Sequence, residues 1–144
     1  YYKGLVDRIE LPEALKEGIR LHRIIDKVSD RKENYLNELL ADKFGIFKGI
    51  VSDMFIDHFL SKNFNKLFNK DIEIIEKRIL DEVEKNRNIF PKDFDSMFKW
   101  LNDKNVMSNY KDIEFLERAF QGLARNYKKR WNFKFNYNWV KKEL

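Results

Sequence analysis

Two short runs carry residue types that could do chemistry together. His22 and Asp26 are four residues apart, as are Asp53 and Asp57, with His58 directly after the latter. Side chains four apart project from the same side of a helix, so each run could present its groups to one point. His22 and Asp26 stand among Leu15, Ile19 and Ile25, and the second run among Ile50, Met54, Phe55, Ile56, Phe59 and Leu60. Ionisable groups in such company cost on the order of several kcal/mol unless they are paired or coordinated. Two readings follow. Each run can satisfy itself by a local hydrogen bond. Alternatively, if the helices pack face to face, two imidazoles and three carboxylates converge as ligands for Mn²⁺, Fe²⁺, Zn²⁺ or, less readily, Mg²⁺. A cation there would acidify its bound water and offset charge on phosphoryl oxygens, with Asp53 as the base if it is not itself a ligand.

The elements that must position these groups are helical. Leu11-Pro12-Glu13 starts a helix that runs to about Val28, broken by Ser29-Asp30, and Leu36 to Phe44 form a second that ends near Gly45. A third and longest helix runs from Phe47 to about Phe64. Asp71 caps a fourth through Val83; Pro91 opens a short fifth through Leu101; Asp112 caps a sixth through Tyr127. With 5 Gly and 2 Pro the chain has too few turn-formers for a sandwich or barrel, and 13 Phe supply a core. The expected architecture is an all-α, single-domain helical bundle over residues 1–144, its first and third helices facing each other across a polar site.

Composition excludes some chemistry. No cysteine is present, which removes disulfides, thiolate nucleophiles and thiolate metal sites. No apolar stretch approaches the roughly 20 residues that span a bilayer, and nothing resembles a signal peptide, so a cytoplasmic location without membrane contact is expected. The chain starts at Tyr1 rather than Met, and a segment is expected to precede it. The 29 basic and 24 acidic residues leave a net charge of +5, which favours an acidic partner. Arg20, Arg23, Lys27 and Arg31 fall within about 80° on the first helix at 100° per residue. Arg23 is nearest the His22/Asp26 face and could grip a phosphodiester; the others suit an acidic helix or a solvated surface. The tail from Trp131 to Leu144 interleaves basic and aromatic residues, and is read as core packing, with Trp131, Phe135 and Trp139 on one face, rather than as a nucleic-acid platform.

Three blocks resemble one family, the acyl carrier protein phosphodiesterases, also called acyl carrier protein hydrolases. Gly18-Ile19-Arg20-Leu21-His22-Arg23-Ile24-Ile25-Asp26, with Ser29-Asp30 after it, is similar to the family's Gly-Ile-x-x-His-Arg-x-Ile-Asp followed by Thr/Ser-Asp. Asp53-Met54-Phe55-Ile56-Asp57-His58-Phe59-Leu60 resembles its Asp-x-x-x-Asp-His-Phe-Leu. Tyr110-Lys111-Asp112-Ile113-Glu114-Phe115 with Gly122-Leu123-Ala124-Arg125 resembles a block nearer its C-terminus.

The resemblance implies a fold distantly like the helical His-Asp metallohydrolases and a Mn²⁺-dependent phosphodiesterase that removes 4′-phosphopantetheine from the serine of holo-acyl carrier protein. It implies His22, Asp26, Asp57 and His58 as ligands, and Asp53 as a further ligand or as the group that orients His58; the substrate contacts Arg23, Arg20 and Lys27 rest on the charge stripe of the first helix. The Asp57-His58 order reverses the usual His-Asp pair of that superfamily, so roles do not copy across position by position. A further family Asp, in a Gly-Asp-Phe/Tyr stretch, would fall before Tyr1. Two other classes stay open: a metal-dependent phosphohydrolase for nucleotide-type substrates, and a non-catalytic basic binding module.

Overall fold

Apolar residues at helical spacing dictate every regular element in the computed structural model, which describes residues 4–29, 35–131 and 142. Among the described residues seven helices run in order: α1 (Glu13–Ser29), α2 (Tyr35–Phe44), α3 (Lys48–Phe68), α4 (Ile72–Lys85), α5 (Phe94–Lys104), the single turn α6 (Val106–Asn109) and α7 (Ile113–Trp131). Short 3-10 turns occupy Val6–Arg8, Gly45–Phe47 and Arg87–Ile89. No strand occurs among the described residues, and the all-α expectation holds. The reading of residues 132–141 and of Arg31 lies outside them.

Local chemistry sets the boundaries. Asp71 caps α4 by accepting the Glu73 N–H at 2.8 Å. Helix α3 continues past Phe64 to Phe68, where Asn69 turns left-handed at φ 51° and returns its N–H to the Asn65 carbonyl. Asparagine tolerates that conformation far better than a branched residue. Gly45, at φ 52°, makes the corresponding break after α2.

One cluster forms the core: Leu40 and Phe44 from α2, Phe47, Val51, Met54 and Phe55 at and within α3, and Leu116 and Phe120 from α7. The Phe55 and Phe120 rings meet at 5.8 Å and 53°, a tilted arrangement that avoids facing their like-charged ring surfaces. Helix α3 therefore lies at the centre, packed against α2, α4, α6 and α7.

The turn α6 falls where the sequence reads as loop. Asn105, left-handed at φ 43°, ends α5 and reverses the chain. Glu76 then makes the turn possible: only 3% exposed, its carboxylate accepts the Met107 N–H at 2.7 Å, the Ser108 N–H at 3.2 Å and the Ser108 hydroxyl at 2.5 Å. These are N–H groups that a helix start leaves without intrahelical partners. Glu76→Ala strands three buried donors and should lower unfolding free energy by about 1–3 kcal/mol or more, read as a lower denaturant midpoint; Glu76→Gln, which keeps one acceptor, should lose less.

Among the described residues α1 makes no extensive contact with α3 and packs instead on the Val6–Arg8 turn: Arg20 reaches Asp7 of that turn as well as Glu13 and Glu17 of its own helix, and Arg23 donates to the Gly4 carbonyl at 2.7 Å. Leu21, Ile24, Ile25 and Val28 stay more than half exposed.

Candidate functional site

Helix α3 presents the second chemical run in two directions. His58 turns inward and is 1% exposed. Its Nδ1 lies 2.7 Å from the Tyr110 carbonyl oxygen. Since a carbonyl only accepts, Nδ1 carries a proton and donates it to that bond. The ring also meets Phe59 edge-on at 5.1 Å. One turn further, Ser61 Oγ donates to the Met107 carbonyl at 2.7 Å. These two bonds tie α3 to the segment after α5, and so join the second and third sequence blocks in space.

Asp53 and Asp57 stay on the accessible side of the helix. The Asp57 carboxyl is held above the ordinary carboxylate range, first by loss of water and then by the Asp53 charge one turn away. The Tyr110 phenol is raised in turn, mainly by burial and also by the charge of Asp57. Asp53, Asp57 and Tyr110 therefore form one electrostatic unit. Tyr110 was quoted in the sequence only as part of a block; the signal that it belongs with Asp57 is tertiary.

Tyr110 of that unit lines a cleft of about 870 Å³, walled also by Met54 of α3, residues from Trp100 to Asn109, and one side of α7 from Phe115 to Asn126.

The first chemical run stands apart. His22 Nε2 and Asp26 Oδ2 are 3.3 Å apart, with side chains 73% and 53% exposed. They line a smaller cleft of about 410 Å³ with Ile19, Arg23, Phe90 and Phe94. The pair takes the local hydrogen-bonding course open to residues four apart. Among the described residues no three His, Asp or Glu side chains come together in a way that could hold a metal ion. The expected convergence of His22, Asp26, Asp53, Asp57 and His58 is not formed, because α1 is anchored to the N-terminal turn and His58 is committed inward to Tyr110. What the structure does bring together is the Asp53–Asp57 pair. Its donor chemistry fits a hard divalent cation of the kind that takes one or two protein carboxylates and completes its shell with water and phosphate; it does not make an all-protein cage.

Of the three basic candidates, Arg20 is surrounded by three carboxylates, which hold its guanidinium protonated well above the usual range. Its charge is compensated before any partner arrives. Arg23 is engaged with the Gly4 carbonyl, and Lys27 is exposed near the end of α1.

The described residues form an all-helical domain with paired carboxylates on its central helix and an open cleft of mixed polarity nearby. The family model for acyl carrier protein phosphodiesterase matches residues 1–143, and the chain belongs to that family. It is an enzyme, a hydrolase whose family acts on acyl carrier protein. No curated protein and no solved structure matches the chain significantly. Among the described residues no helix is long and apolar enough to cross a membrane.

Proposed function

We propose that the protein hydrolyses the phosphodiester that links 4′-phosphopantetheine to a serine of holo-acyl carrier protein, with the Asp53–Asp57 pair at the reaction centre. The observation that carries this reading is the Asp57 carboxyl, raised by desolvation and by the charge of Asp53 one turn away on α3, the helix whose Met54 lines the 870 Å³ cleft. A base whose pKa lies nearer the working pH takes protons more effectively. Asp57 accepts a proton from water as the water oxygen bonds to phosphorus. The phosphorus–serine oxygen bond then breaks, and the serine oxygen leaves with the proton that Asp57 took from the water. Products are apo-acyl carrier protein and 4′-phosphopantetheine. When bound, a divalent cation, Mn²⁺ on this reading, supplies positive charge against the phosphoryl oxygens and a more acidic water. Asp53, with Asp57 beside it, is the residue that would hold it. This reverses the roles expected for the two carboxylates from sequence, since Asp57 is the one raised. His58 acts as the tie that fixes Asp57 relative to Tyr110.

Acyl carrier protein is acidic, and the exposed Lys27 on α1 belongs to its encounter surface rather than to the chemical step. Lys27→Glu should raise KM about fivefold at low ionic strength, the size of one exposed ion pair, with kcat unchanged and the difference vanishing at high salt. Steady-state hydrolysis at two salt concentrations checks this.

The reading as a whole is tested by a substrate panel assayed with added Mn²⁺ and with a chelator. Hydrolysis of holo-acyl carrier protein that stops on chelation supports it. Hydrolysis of nucleotides in preference, or binding without turnover of any phosphodiester, overturns it.

A further inference from the structure

We propose that the 870 Å³ cleft walled by α5, α6 and α7 is the binding site of the pantetheine arm, with Lys104 and Arg118 holding its phosphate charge; this rests on the reading that 4′-phosphopantetheine is the group released. The volume lies within the range of small-molecule sites. Its wall has the mixed chemistry such an arm requires. A pantetheine chain offers two secondary amides, a gem-dimethyl group and a terminal thiol. Trp100 and Phe115 offer apolar surface, while Asn105 and Asn126 offer amide groups that both donate and accept.

The charge is also suited to an anion. Lys104 and Arg118 line the cleft against the single carboxylate of Asp103, and neither cation's side chain forms an ion pair among the described residues. Tyr110 and Met54 belong to the same wall, and the Tyr110 carbonyl accepts from His58, the chain neighbour of Asp57, at 2.7 Å, which sets the cleft beside the helix that carries the reaction centre.

Gly122 marks where the cleft can be blocked. It lies within α7 on the cleft wall, where glycine costs about 0.5–1 kcal/mol relative to alanine. Its φ is not positive, and a Cβ built there meets no atom within 4 Å. Neither conformation nor close packing calls for glycine; what it leaves is open space in the cleft.

Calorimetric titration of the full chain with 4′-phosphopantetheine and with pantetheine tests the assignment, alongside kinetics on holo-acyl carrier protein. Arg118→Ala should weaken 4′-phosphopantetheine binding roughly 10- to 100-fold, the worth of a hydrogen bond to a charged group, and leave pantetheine affinity unchanged. Gly122→Leu should abolish binding of both and raise KM, while its melting temperature rises because leucine favours the helix. If the wild type cleaves holo-acyl carrier protein and both variants bind and turn over like it, the cleft assignment is overturned while the phosphodiesterase reading stands. If the wild type cleaves nothing yet binds 4′-phosphopantetheine, and Gly122→Leu loses that binding, the cleft assignment stands without the reaction. Absence of 4′-phosphopantetheine binding to the wild type overturns it.

Discussion

Asp57→Asn should lower turnover of holo-acyl carrier protein by about 10²- to 10⁴-fold, the range for loss of a positioned general base, and should at the same time make the protein more stable at neutral pH. The two effects have one cause. Burial and the Asp53 charge disfavour the ionised form of Asp57, so its folded pKa lies above its unfolded one. Stability associated with the protonated group is present below the ordinary carboxylate range and is lost as pH rises through the raised folded value. Asparagine keeps the shape and removes the charge, so the variant escapes that loss. Thermal melts should show Asp57→Asn above wild type at pH 7, with the gap closing as pH falls below the ordinary carboxylate pKa. Mn²⁺ should raise the wild-type melting temperature more than that of the variant, since the variant lacks the paired charge. A variant inactive because it is unfolded would melt lower, not higher.

The largest loss of stability should come from Phe120→Ala. Phe120 is fully buried and its ring contacts Phe55 across the α3–α7 interface. Truncating a buried phenylalanine costs about 3–5 kcal/mol through lost burial and the cavity left behind, a large part of the roughly 5–15 kcal/mol that holds a typical domain together. Denaturant unfolding should show a correspondingly lower midpoint. Because α7 forms one wall of the cleft, activity should fall with the loss of folded protein, and cooling should restore it.

Helix positions were legible because the physics that sets them is local. The apolar period, Pro12 at the start of α1, the Asp71 cap and the break at Gly45 all act over a few residues. The turn α6 was not legible. Its existence depends on a carboxylate, Glu76, some thirty positions earlier in the chain. One sign was available: Glu76 sits four residues after Ile72 and three before Ile79, on the apolar side of α4, where an ionised group needs dedicated donors.

The candidate site divides in the same way. Asp53 and Asp57 share a helix turn, so their mutual repulsion follows from spacing alone. Whether α1 crosses α3 is a tertiary matter: Asp7 and the Gly4 carbonyl, both outside the helix, hold Arg20 and Arg23 in its middle. His58 illustrates the limit: its burial among apolar neighbours was readable, but its partner is a backbone carbonyl, which carries no side-chain signature in a sequence.

The most direct test of the central claim is the intact mass of holo-acyl carrier protein after incubation with the wild-type chain and Mn²⁺, and after the same incubation with Asp57→Asn. The wild type should convert it to the apo mass with 4′-phosphopantetheine appearing in solution, and Asp57→Asn should leave it holo. A substrate that keeps its phosphopantetheine with the wild-type protein, or equal conversion by Asp57→Asn, would contradict the assignment of the reaction to this carboxylate pair.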